Sequence, residues 1–75
     1  MMQIPNLRRL RQRRNWSQQD LADRSGIGLS TIIRLEHGAA CRYVTVRKLA
    51  EALGVPEEEL ARPVEDAEPV ADQLA

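Results

Sequence analysis

The sequence has no phenylalanine, and its only tryptophan and tyrosine are Trp16 and Tyr43. Proteins that bind single-stranded nucleic acid stack bases on several aromatic side chains, so this scarcity argues against such a surface. Cys41 is the single cysteine, which excludes an internal disulfide and fits a reducing compartment. Cysteine and histidine do not cluster with metal-ligand spacing, so neither a metal nor another cofactor is expected.

Long apolar runs are also missing. No segment approaches the roughly 20 apolar residues that a membrane-spanning helix needs, and the opening residues MMQIPNLRRL lack the apolar stretch of a secretory signal. These features predict a cytoplasmic protein. The 75 residues predict a single domain at most, whose small core leaves little stability to spare.

Charge is unevenly distributed, although the chain is neutral overall. Residues 1–62 hold all 11 basic residues and 7 of the 11 acidic ones, a net charge of +4. Residues 63–75 hold the other acidic residues and carry −4. A basic segment joined to an acidic one indicates a nucleic-acid partner, although a solvated surface would also account for it. Most of the basic residues are arginine, whose forked guanidinium suits phosphate and guanine.

Helix signals recur five times along residues 1–62. The spacing predicts a helix at about 6–14 capped by Asn6, and a second from the cap Ser17 to the stop Gly26. Further helices are predicted at 29–37, at 46–53 with Thr45 as the cap, and after Pro56. No strand pattern competes. The prediction is an all-α, compact five-helix bundle, followed by a disordered acidic tail at 63–75 that has little to bury.

Residues 18–37 have the packing requirements of a helix-turn-helix. Ala22 is small where two helices would touch, and Ile32 is an inward apolar position on the next helix. Gly26 lies at the corner, where we expect a Cβ to clash. Each feature is common by itself, but the three at this spacing, after a capped helix start, predict two helices joined at a fixed angle.

The chain resembles the Cro/repressor-type (Xre-like) helix-turn-helix family over about residues 6–60. The matching segments are LRRLRQRRNWSQQDLADRSGIGLSTIIRLEHG and TVRKLAEALGVPEEEL. The resemblance implies a DNA-binding domain of the phage-repressor type, in which helix 29–37 reads the major groove of double-stranded DNA. It also implies a sequence-specific, repressor-like transcription regulator that binds as a homodimer, with the dimer surface around Val55 to Leu60.

The resemblance further assigns roles to single residues. Arg34 would bond a guanine, and Ile33 would meet a thymine methyl unless it packs against the loop. Arg11 and Glu36 would form a structural pair between the first and third helices. The positions implied to contact bases are Leu29, Ser30, Ile33 and Arg34. The positions implied to contact phosphates are Ser17, Gln18, Thr31, His37, Arg42 and Tyr43.

Two features qualify this reading of the sequence. Many family members have a proline after the Leu-Glu-x-Gly segment, where this chain reads AACRYV, so the path of that loop is open. The acidic tail also suits a different role, that of an antitoxin or other protein-interaction module that binds a partner protein; alternatively, it only adds solubility. An enzyme is not expected, because no nucleophile pairs with a base and no glycine-rich phosphate loop occurs.

Overall fold

The computed structural model describes residues 1–63, and the predicted tail from residue 64 onward lies outside them. None of the helices in this range is long and apolar enough to cross a membrane. The five helices are α1 (Leu7–Arg13), α2 (Gln18–Ser25), α3 (Leu29–Glu36), α4 (Tyr43–Leu53) and α5 (Glu57–Ala61). Two short strands accompany them, β1 (Met2–Gln3) and β2 (Ala40–Cys41).

The predicted all-α bundle is confirmed, and two short strands that no sequence pattern indicates accompany it. Met2 pairs with Cys41 and Gln3 with Ala40 in an antiparallel ladder. The Gln3 side chain extends this contact by donating to the Gly38 carbonyl at 3.0 Å. Two residues are too few to show the alternating pattern of a strand, so only the tertiary fold brings these segments together.

One hydrophobic core joins all five helices. Helix α2 packs on α3 and α4, α1 packs on α3 and α5, and α4 packs on α5. Helices this short are marginal in isolation, so their stability comes from burying one face each. The core side chains are Ile4, Leu7, Leu10, Leu21, Ala22, Ile32, Leu35, Cys41, Val46, Leu49, Ala50, Leu53 and Leu60. Burial raises the pKa of the Cys41 thiol, which therefore stays protonated near neutral pH.

A complete capping box starts α2, as the spacing of Ser17 and Asp20 predicts. The Ser17 Oγ accepts from the Asp20 N–H at 3.0 Å, and the Ser17 N–H donates to Asp20 Oδ2 at 2.9 Å. The bond from the Ser17 backbone lowers the pKa of Asp20. The contribution of Asp20 to stability is therefore complete above its unfolded-state pKa and is lost as the pH falls through the folded-state pKa.

Replacing Ser17 with alanine is expected to lower the free energy of unfolding by about 0.5–2 kcal/mol, because one N–H at the start of α2 loses its acceptor. Urea denaturation followed by circular dichroism measures this change. Ser30→Ala is the matched control, since Ser30 is exposed inside α3 and has no capping role. Equal stability of the two variants would show that the capping box contributes nothing.

Asn6 is the N-cap residue of α1, as predicted, but it does not cap through its side chain, and the prediction of Thr45 as the cap of α4 was wrong. The side chain of Asn6 makes no capping bond; its Nδ2 instead donates to the Glu59 carbonyl at 2.9 Å. Helix α4 begins at Tyr43 with Arg42 as the N-cap, so Thr45 lies inside the first turn. The apolar pattern missed this turn because the first buried position of α4 is Val46.

The corner between α2 and α3 needs glycine for its backbone conformation. Gly26 has φ of 76°, in the left-handed region that side chains disfavour. A Cβ there would meet nothing within 4 Å, so the expected clash was wrong and the requirement is conformational. Asn15, just after α1, lies in the same region, with φ of 58°.

Candidate DNA-binding site

Helix α3 has one buried and one exposed face. Ile32 and Leu35 are buried in the core. The predicted base contacts are at positions 29, 30, 33 and 34, and His37 lies just after the helix. Spacings of three and four residues place these side chains on one face of α3. Ser30 and Arg34 are exposed, Leu29 is 36% exposed, and Ile33 and Thr31 are half-buried. The face therefore combines apolar groups, hydroxyls and one guanidinium.

A hydrogen-bonded cluster of three side chains fixes α1, α2 and α3 relative to one another. The Arg11 Nε donates to Glu36 Oε2 at 2.6 Å and its Nη2 donates to Glu36 Oε1 at 3.0 Å. Both side chains are nearly inaccessible, with 11% and 2% of their surfaces exposed. Gln18 Nε2 also donates to Glu36 Oε1 at 3.0 Å. The carboxylate of Glu36 thus accepts bonds from both neighbouring helices.

The same cluster forms the floor of a surface hollow at the start of α2. The hollow has a volume of about 410 Å³. It brings together three predicted phosphate-contacting residues, Ser17, Gln18 and His37, and adds Arg8 of α1. Since Arg11 neutralises Glu36, the charge of Arg8 gives the hollow a net positive charge. Its lining residues are Arg8, Arg11, Ser17, Gln18, Glu36 and His37.

Arg8 and the bond between Gln18 and Glu36 are parts of this site that the sequence analysis did not identify. A signal for Arg8 was present, because it precedes the inward Arg11 by three residues on the same helix face. No comparable signal existed for the bond of Gln18, since the two residues lie 18 positions apart in the chain.

Arg42 and Tyr43 lie apart from the hollow, at the start of α4. Both are exposed. Tyr43 lines a second depression, of about 500 Å³, together with Glu57 and Glu58 of α5. A phosphate bound at Tyr43 would therefore meet two carboxylates, whereas Arg42 forms no ion pair with a carboxylate within residues 1–63.

Comparison with known proteins supports the fold. The helix-turn-helix family matches residues 7–60, most of the chain. The chain belongs to the helix-turn-helix family. A crystal structure of a hypothetical transcription factor, NHTF, from Neisseria is similar to this helix-turn-helix protein, with a TM-score of 0.74 and 27% sequence identity. The alignment covers 88% of this chain and 75% of the other. No curated protein matches.

Membership in this family confirms the resemblance inferred from the sequence, including its Cro/repressor type. The helix-turn-helix itself consists of α2, the corner at Gly26 and α3. The protein is accordingly a DNA-binding regulator. The structure places Arg11 and Glu36 as the interhelical pair that the resemblance implied.

Proposed function

We propose that this protein is a sequence-specific, repressor-like transcription regulator that binds double-stranded DNA by inserting α3 into the major groove. The observation that carries the proposal is the exposed face of α3, which contains no free carboxylate, since Glu36 is bonded to Arg11 and Gln18. A B-form major groove admits an α-helix, and its base edges offer acceptors, donors and thymine methyls. The free thiol of Cys41 supports a cytoplasmic location.

The base contacts would come from the exposed face of α3. The Arg34 guanidinium reaches guanine O6 and N7 with two parallel bonds, and Ile33 and Leu29 meet thymine methyls. Ser30 offers a hydroxyl to either a base or a phosphate. Leu29, Ser30 and Ile33 offer few hydrogen bonds to bases. DNA shape therefore contributes to the sequence preference of the protein.

The phosphate contacts would flank α3 on two sides. Gln18 and Ser17 lie at the start of α2, where backbone N–H groups and the helix dipole also favour an anion. Gln18 keeps one amide hydrogen for this purpose after its bond to Glu36. Thr31 and Arg42 would contact DNA phosphates on the other side of α3. Tyr43 is the weakest candidate for a phosphate contact because of its acidic neighbours.

Replacing Arg34 with alanine is expected to remove the preference for one guanine and to cost about 1–3 kcal/mol of discrimination there. Selection from a random duplex pool, at one stated salt concentration, measures the preference in both proteins. Arg47→Ala is the matched control, because Arg47 lies on α4 beside Glu51 and Glu57 and loses the same charge. A motif that keeps its guanine in Arg34→Ala would contradict the assigned role.

We also propose that two copies bind one DNA site, because a single recognition helix makes few contacts and repressor half-sites lie one helical turn apart. The contact cannot use Leu60 as expected, since Leu60 is fully buried in the core. Tyr43 and Val44, in the first turn of α4, are large apolar side chains left 63% and 54% exposed, and Tyr43 lies beside α5. Two-fold symmetry in the selected motif supports the dimer, and sedimentation of one chain per site would contradict it.

If the selection enriches nothing and binding only weakens with salt, specific regulation fails. The alternative would then be a protein-interaction module acting through the acidic residues beyond 63. Purification from the native host, with and without residues 64–75, would distinguish them. A stoichiometric partner lost with the tail supports the alternative.

A further inference from the structure

The geometry of His37 determines which of its ring nitrogens can donate a hydrogen bond. His37 Nδ1 lies 2.8 Å from the Ile33 carbonyl oxygen. A carbonyl oxygen only accepts, so Nδ1 carries the hydrogen. In the neutral ring Nε2 then has a lone pair and accepts. A phosphate oxygen also only accepts, so the neutral ring offers it no bond, whereas protonation gives Nε2 both a hydrogen and a positive charge.

The surroundings of His37 favour an anion over the hollow. Helix α1 contributes Arg8 and Arg11, α2 contributes the neutral amide of Gln18, and α3 contributes Glu36, which Arg11 and Gln18 engage. Arg34 lies one turn before His37 on the same helix. Asp20, in the first turn of α2, directs its carboxylate back to the Ser17 N–H and does not line the hollow.

We propose that His37 is a proton-controlled clamp for a DNA backbone phosphate. The phosphate binds in the hollow, where Gln18 donates its second amide hydrogen, Arg8 supplies charge, and protonated His37 donates from Nε2. The affinity for DNA therefore rises as the pH falls and the ring takes up its second proton. The clamp rests on the proposed function and adds proton control to one of its phosphate contacts.

The test measures binding of a fluorescein-labelled mixed-sequence duplex at several salt concentrations, at about pH 6 and about pH 8. Each neutralised phosphate adds about 0.9 to the slope of log affinity against log salt. The native protein is expected to show a slope steeper by about 0.9 at the lower pH. His37 is the chain's single histidine. His37→Gln therefore removes the imidazole that the clamp requires and leaves every other titratable group in place.

His37→Lys provides the converse control, because lysine stays charged at both pH values. At both pH values its salt slope is expected to equal the slope that the native protein shows at the lower pH. Both variants change an exposed residue after α3, and circular dichroism establishes that they fold. Equal pH dependence of the native protein and His37→Gln would overturn the clamp alone. Absence of DNA binding by the native protein at both pH values would overturn the proposed function with it.

Discussion

Glu36→Leu is expected to lower the free energy of unfolding by about 3–5 kcal/mol, because removing one partner leaves the guanidinium of Arg11 buried without its counter-charge. Only 11% of the Arg11 side chain is exposed, so water cannot replace the carboxylate. Gln18 loses its acceptor in the same variant. Since a domain of this size has a stability near the lower end of about 5–15 kcal/mol, about 0–2 kcal/mol would remain, and a measurable fraction of the variant should be unfolded at room temperature.

The measurement is urea denaturation followed by circular dichroism, with two further proteins. Glu51→Leu is the matched control, since Glu51 is exposed on α4 and its loss should change stability by about 0.5 kcal/mol or less. In the double variant Arg11→Met/Glu36→Leu both charges are gone, so most of the stability should return. If Glu36→Leu were no less stable than Glu51→Leu, the buried pair would have no structural importance.

Ile32→Ala is expected to lower the free energy of unfolding by about 2–5 kcal/mol, because it leaves a cavity under α3. Ile32 is fully buried between α3 and the core. Ile33, its neighbour of identical chemistry, is half-exposed on the other face. Ile33→Ala should therefore be clearly more stable than Ile32→Ala and should instead change the DNA sequence preference at a thymine.

The two isoleucine variants need two measurements each, thermal denaturation and DNA selection. We expect Ile32→Ala to bind the native motif with an affinity reduced only by its unfolded fraction. Ile33→Ala should bind an altered motif while remaining folded. The assignment of the two faces of α3 would be wrong if both variants lost equal stability, or if Ile32→Ala alone changed the motif.

Features that depend on neighbours in the chain were predictable from the sequence. Ser17 and Asp20 are three residues apart, so their capping box follows from local geometry alone. The corner at Gly26 and the buried faces of α2 and α3 follow from glycine conformation and helical spacing. These local features suffice to define the helix-turn-helix and the exposed face that carries Arg34.

Features that depend on distant segments were not predictable. Asn6 has the chemistry of a helix cap, but α5 lies close enough to offer the Glu59 carbonyl instead. The ladder between Met2 and Cys41 forms because the fold brings two short segments together. For the same reason the sequence could not place Arg8 and His37 in one hollow, since that contact requires α1 and the end of α3 to be packed first.

The attachment of Asn6 to α5 has a consequence for how the protein folds. The Asn6 N–H donates to the Leu60 carbonyl at 3.1 Å, and its side chain bonds to Glu59, 53 positions along the chain. The longest helix within residues 1–63 has 11 residues, which is too few for a helix to be stable alone in water. Partly folded forms therefore lack the contacts that stabilise a helix, and α3 forms only when the beginning and the end of the domain meet. The ability to bind DNA is in this sense all-or-none, acquired and lost by the domain in one cooperative step.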